Sequence, residues 1–242
     1  MAEHELLDNI KHKNLRIIRQ YGAEFGDNLS YARVFVPELT QAQACYPIFF
    51  VKNAEEQLEP VALFGFEQGE NLFLQNSDWQ ANYIPWSIQR APFLIGFQEP
   101  IAGGGEPEPV VYVDMQHPRV SDSEGQSVFL PHGGQSDYLQ YISQLLASIH
   151  QGHQNNQDFV RTLSEYNLIE AAQLEVELDN HKKYKMGDLF AISEEKLAAL
   201  KADELYKLKQ SGYLSAIYMV IASTAQLSEL IRRKNQTVKN GS

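Results

Sequence analysis

The sequence holds a single cysteine, Cys45, among 242 residues, so it can form no intramolecular disulfide. A cross-linked framework is excluded, and a reducing compartment with cytoplasmic location is expected. Cys45 is followed by Tyr46 and Pro47 in an apolar run and reads as a small buried hydrophobe. A nucleophilic role would require a base close to it in space. Basic side chains are also scarce, 20 against 31 acidic ones, for a formal net charge of -11. Binding to nucleic acid needs concentrated Lys and Arg, and docking on an anionic membrane needs the same, so neither is expected. Solubility is the plain consequence of such a charge. Long apolar runs are missing too. Met1 to Asn14 carries Glu3, Glu5 and Asp8 with no continuous apolar stretch behind it, so it is not expected to act as a secretory signal. Leu214 to Ala225 is broken by Ser215, Ser223 and Thr224, which makes it too short and polar to span a bilayer. No membrane insertion is expected.

Cofactor and metal motifs are lacking in the same way. Gly103-Gly104-Gly105 has neither the Lys nor the helix start of a phosphate loop, and His132-Gly133-Gly134 reads as a loop. His150 and His153 have a spacing that can chelate, but Gly152 lies between them and no third ligand is evident. A histidine near a helix C-terminus is favoured by the helix dipole alone. No cofactor and no metal site are therefore assigned.

What is present is a hydrophobic share of 43%, sufficient for a globular core in one large domain. Residues 1–30 are polar and mixed, forming an N-terminal segment that ends in the turn signal Gly26-Asp27-Asn28. Tyr31 to Val36, Pro47 to Lys52 and Val61 to Phe66 read as strands, the middle one covered on both faces. Gly69-Glu70-Asn71 turns the chain into Leu72-Phe73-Leu74, which predicts a hairpin with Val61 to Phe66. A short helix around Trp86 to Arg90 and a strand from Phe93 to Phe97 follow, separated by Pro92. Ile101 to Pro109 is a loop and Val110 to Asp114 a strand. Met115 to Gln135 is irregular, anchored by Val128-Phe129-Leu130.

The period then changes. Tyr138, Tyr141, Ile142, Leu145, Leu146 and Ile149 mark one face of a helix that Gly152 is expected to stop, and Phe159, Leu163 and Tyr166 mark a second. Leu174, Val176 and Leu178 alternate with acidic residues, predicting a strand buried on one face. A three-residue loop, Asp179 to His181, sets Glu177 opposite Lys183, Val176 opposite Tyr184, Glu175 opposite Lys185 and Leu174 opposite Met186. A two-residue loop would mix the faces, so the longer one is preferred, with Asn180 or His181 near the left-handed region. Ser193 and Asp203 are candidate N-caps of two short helices. A last helix ends at Arg232-Arg233-Lys234, leaving 235–242 as a flexible tail. The fold class is α+β: a mostly antiparallel N-terminal sheet, C-terminal helices and one late hairpin at about 174–186, in a single domain over 31–234.

The chain resembles the SapC-like family, named for a bacterial surface-layer-associated protein. The resemblance rests on an ordered set of segments between about residues 31 and 233: Tyr46-Pro47-Ile48-Phe49-Phe50-Val51-Lys52, Val61-Ala62-Leu63-Phe64-Gly65-Phe66 and Gly69-Glu70-Asn71-Leu72-Phe73, then Trp79, Tyr83-Ile84-Pro85 and Arg90-Ala91-Pro92-Phe93-Leu94, then Asp114, Ser121 to Gly125 and Gly212 to Tyr218. The family name implies a surface-layer role. Similar proteins are often encoded beside flavin-dependent tryptophan-halogenase-like enzymes and TonB-dependent receptors, which implies a shared pathway. No catalytic residue carries over from the family.

Two candidate sites remain. Trp79, Tyr83, Trp86 and Phe93 with Arg90, Glu70 and Asn71 could hold a peptide or aromatic ligand, because Trp and Tyr join large apolar area to a polar handle and Arg90 could clamp a carboxylate. The alternative is that these aromatics cap the sheet while Arg90 pairs with Glu70. Asp114 and His117, at a strand end, could form an acid–base pair or hold a metal, against the alternative of a solvated loop. The function expected is a non-catalytic binding or adaptor protein engaging a partner enzyme or peptide. An enzyme using Asp114 and His117, or a surface-layer component, are the alternatives.

Overall fold

Alternation of apolar and polar residues is realised in antiparallel sheets throughout the chain. The computed structural model describes residues 3–75, 77–98 and 107–240. The chain forms two compact units, Met1–Asp27 with Trp86–Gln151, and Asn28–Pro85 with Gly152–Ser242. The fold class is α+β, with several antiparallel sheets and helices concentrated toward the C-terminus.

The second unit is built on a five-stranded antiparallel sheet. Its order is Ile169–Glu177, Lys183–Ile192, Ile48–Lys52, Leu58–Leu63 and Tyr31–Arg33. The expected register of the late hairpin is found: Leu174 faces Met186, Glu175 faces Lys185, Val176 faces Tyr184 and Glu177 faces Lys183. His181 takes the left-handed conformation, φ 63°, in the loop. The hairpin is longer than expected, running from Ile169 to Ile192 with an irregularity between Ala172 and Leu174. Ile48, Phe50, Val61, Ala62 and Leu63 are buried, as continuous apolar strands require. Burying one such aliphatic or aromatic side chain is worth roughly 1.5–3 kcal/mol.

The hairpin expected between Val61–Phe66 and Leu72–Leu74 does not form. Leu58–Leu63 has both edges occupied, by Ile48–Lys52 and Tyr31–Arg33, and Leu74–Gln75 pairs instead with Asp78–Trp79. The strand expected over Tyr31 to Val36 stops at Arg33, and Val36–Glu38 is a 3-10 turn that includes Pro37. Buried Asn156 holds this corner, donating to the Val34 carbonyl at 2.8 Å and accepting from Val36 N–H at 2.9 Å.

Gly152 does not end a helix. Asp137–Glu165 is one continuous helix, and Gly152 is present because Phe35 approaches the backbone there. The helix after it, Glu194–Ala198, begins behind Ser193 as expected, but Ala202–Gln210 is led by Lys201 rather than Asp203, with Glu204 Oε2 accepting the Lys201 N–H at 2.7 Å. Tyr213–Ser223 and Leu227–Asn240 close the unit, joined by a 3-10 turn at Thr224–Gln226. The last helix thus passes Lys234 and reaches Asn240, and Asn235 and Lys239 bond to Asp179 at 3.0 and 2.9 Å. Within the helical run Tyr213–Lys239, an 18-residue window of mean hydropathy 1.4 makes the run long and apolar enough to cross a membrane by length and composition alone, where Leu214 to Ala225 was expected to be too short and polar. Within its unit the run buries Ala216, Ile217, Val220, Ser223 and Leu230 at helical spacing, and Ser223 Oγ accepts the Ile48 N–H at 2.9 Å.

The first unit has a three-stranded antiparallel sheet, His4–Leu6, Glu108–Asp114 and Phe93–Gln98 in that order, and a smaller one in which Arg16–Ile17 lies between Val120–Ser121 and Gln126–Ser127. The polar N-terminal segment therefore contributes strands and buried Leu15 and Ile17. Trp86–Gln89 is the expected short helix. Val128 and Phe129 are buried, whereas Leu130, expected beside them, is exposed. Gly103-Gly104-Gly105 lies outside the described residues.

Candidate functional site

Strand alternation places Phe93, Ile95 and Phe97 on one face of the three-stranded sheet, opposite Val113, Val111 and Pro109. Leu7 extends this row, its N–H donating to the Val111 carbonyl at 2.8 Å. The first part of the long helix faces the row with Tyr138, Leu139 and Leu146, all buried. Phe93 meets Tyr138 with ring centroids 6.2 Å apart, and Phe97 meets His150 at 4.8 Å. Between sheet and helix runs a groove of about 520 Å³, lined by aliphatic side chains that include Leu6, Leu7, Ile95, Val111, Leu146 and Ala147. Leu6 is 39% exposed and Phe97 47%, so apolar surface continues outward from it.

Among the described residues the groove's lining carries one charged side chain, Asp8, with Asn9, Gln135 and Ser143 as its polar groups. Asp8 is held by its own turn: Oδ1 accepts the N–H groups of Lys11 at 2.7 Å and Ile10 at 2.8 Å. Those two bonds lower its pKa below the ordinary carboxylate value. Buried His12 braces the same turn. Its Nδ1 accepts the Asp8 N–H at 3.0 Å, so the proton sits on Nε2, which donates to Glu5 Oε2 at 3.0 Å. Asn9 Nδ2 donates to the Gly133 carbonyl at 2.9 Å and ties the opposite wall. The sequence reading missed this site. Its one local signal was the pair Leu6-Leu7 inside an otherwise polar segment.

The residues singled out from the sequence are divided between the two units. In the second, Trp79 is 4% exposed and belongs to the core. Its indole Nε1 donates to Tyr46 Oη at 2.7 Å, and the Tyr46 hydroxyl donates to the Tyr83 carbonyl. Tyr83 Oη donates to Glu38 Oε2 at 2.5 Å. Trp79, Phe64, Phe73 and Tyr46 pack edge to face, with Phe64–Trp79 centroids at 5.1 Å. Asn71 accepts the Phe73 N–H at 3.0 Å, and Glu70 accepts the Phe66 N–H at 2.9 Å and binds Lys234. A cleft of about 400 Å³ lies beside Trp79, lined by Cys45, Asn82, Glu229 and Arg233. In the first unit, Trp86 starts the short helix and Arg90 Nη1 donates to the Phe93 carbonyl at 2.9 Å.

Asp114 and His117 also lie in the first unit. Asp114 Oδ1 accepts from the N–H groups of Gln116 at 3.1 Å and Glu3 at 3.3 Å, and His117 Nδ1 accepts from Arg119 N–H at 3.2 Å. Asp114 thus holds its own turn and the Glu3 backbone, His117 holds its own turn, and among the described residues no hydrogen bond joins the two side chains. Burial first, then the Arg119 charge, lowers the His117 pKa, against the pull of Asp114. Among the described residues no three His, Cys, Asp or Glu side chains are placed to hold a metal ion.

No curated protein and no solved structure matches the chain. A family model does, SapC, over residues 7–230, a span that takes in the groove's lining apart from Leu6 and the Trp79 core. The chain belongs to the SapC family.

Proposed function

We propose that the protein is a non-catalytic binding protein whose groove between the Phe93–Gln98 sheet and the first half of the long helix receives an apolar segment of a peptide or of a partner enzyme. One observation carries the reading: the groove has the volume of a ligand site and an aliphatic lining with few polar groups. Two of those polar groups, Asp8 and Asn9, hold the groove's own walls. Such a site selects by shape and apolar area and does not activate a nucleophile. The partner would belong to the peptide- or aromatic-modifying, halogenase-associated pathway that the family resemblance implies.

The test is selection of displayed peptides on the intact protein, counter-selected on Ala147→Arg. Ala147 is an exposed helix position that lines the groove, and Arg is a good helix former there. The expected result is enrichment of Leu-, Ile- and Phe-rich peptides that bind at least about tenfold more weakly to the variant, a loss of about 1.4 kcal/mol. Peptides that bind both proteins alike, or no enrichment at all, would sink the reading.

A further inference from the structure

Asp8, the one charged side chain of the groove's lining among the described residues, bears on what the groove can hold. Its Oδ1 accepts the two turn N–H groups, whereas Oδ2 has no hydrogen bond or ion pair among the described residues. No Lys or Arg side chain lines the groove among those residues. The two basic side chains that follow in the same turn are engaged elsewhere. Lys11 Nζ lies 2.5 Å from Glu5 Oε2, and His12 Nε2 donates to the same oxygen at 3.0 Å.

An occupant that fills the groove to its rim takes water from this carboxylate, which costs free energy unless the occupant supplies a donor in return. Asp8 has three ways to avoid that cost, and each is opposed. Turning aside would break the bonds from the Ile10 and Lys11 N–H groups, in a turn that buried His12 also braces through the Asp8 N–H. Taking up a proton is opposed by the same two bonds at Oδ1, which hold the carboxyl below its ordinary pKa. Pairing within the turn would take Lys11 or His12 away from Glu5. A neutral occupant leaves Oδ2 bare and an acidic one adds repulsion, so a cationic occupant is the complementary one.

We infer that the groove's occupant is a basic–apolar peptide segment, in which a Lys, an Arg or a chain-terminal ammonium stands directly beside the apolar residues and pairs with Asp8 Oδ2. This rests on the groove being the binding site proposed for it, and adds which segments that site prefers. Asp8 stands at the exposed rim, so the pair contributes to selectivity more than to affinity.

The test is a display library with a fixed Leu/Ile/Phe core and one position on each side randomised among Lys, Arg, Gln and Glu. It is selected on the full chain and on Asp8→Asn, which keeps an Oδ1 acceptor for the turn and removes the charge. The readout is the ratio of Lys- or Arg-flanked to Gln-flanked peptides within each protein, so any change in affinity for the core cancels. The wild-type chain should favour Lys or Arg about threefold over Gln and reject Glu, as a rim ion pair does, and the preference should fade in high salt. On Asp8→Asn the preference should vanish. A core that binds with no flank preference, or a preference that survives Asp8→Asn, overturns this inference and leaves the groove as a site for apolar segments. If no core binds, both fall.

Discussion

Gly152 lies against the ring of Phe35, whose Cδ1 is 2.8 Å from the place a Cβ on residue 152 would occupy. Phe35 is fully buried and meets His153 edge-on, with ring centroids 5.0 Å apart, so it has no room to withdraw. In an exposed helix Gly→Ala gains about 0.5–1 kcal/mol. Here the overpacking, typically about 1–3 kcal/mol, dominates. Gly152→Ala should therefore lower the urea midpoint, and Phe35→Leu in the same chain should recover part of the loss. A stabilised Gly152→Ala protein would show that Phe35 does not occupy that space.

The same pair marks what could be read from the sequence and what could not. Register of the late hairpin was legible, because Glu175 and Glu177 alternate with Leu174 and Val176, and Lys183 and Lys185 alternate with Tyr184 and Met186. Only one loop length satisfies both faces. Gly152 was not legible, because its reason is a side chain more than a hundred positions earlier, and locally it looks like a stop. Trp79 carried the aromatic signal of a binding surface, yet its indole N–H is satisfied by Tyr46, 33 residues away. Local pattern cannot distinguish a buried, bonded Trp from an exposed one. The groove needs Leu7, Val111 and Leu146 together, and no period in the sequence connects those three.

Lys234 is 5% exposed, and its ammonium bonds to Glu67 at 2.6 Å and also to Glu70. Burial alone would lower its pKa, but the hydrogen bonds to Glu67 and Glu70 more than offset this and raise it. The lysine is thus a fixed cation tying the last helix to the 67–70 turn. Lys234→Met should cost about 3 kcal/mol, because Glu70 is left half-buried without its partner. Glu67→Gln should cost under about 1 kcal/mol, since Glu67 is largely in water. Equal losses in denaturant titrations of the two variants would contradict this division.

Cys45 lines the cleft beside Trp79, but burial raises its thiol pKa, against smaller opposing contributions from the Asn82 and Tyr83 backbone N–H groups. Since the thiolate is the reactive form, labelling by a disulfide reagent at pH 7.5 should be at least about tenfold slower in the native protein than in denaturant. Equal rates would make Cys45 an activated, accessible thiol.

His117 links stability to pH. Its imidazole is held below the ordinary value of 6.5, mainly by burial, and Nδ1 accepts the Arg119 N–H, which the doubly protonated ring cannot do. Just below pH 6.5 the unfolded chain therefore binds a proton at this residue that the folded chain refuses. Stability must rise with pH through that window. The contribution is complete above 6.5 and is lost as the pH falls through the lower folded-state value. His117→Gln, which keeps an acceptor but cannot titrate, should flatten the fall in urea midpoint between pH 6.5 and 5. Other groups titrate equally in both proteins, so the difference between the two curves isolates His117. Parallel curves would mean that the ring is hydrated and free to protonate in the folded state.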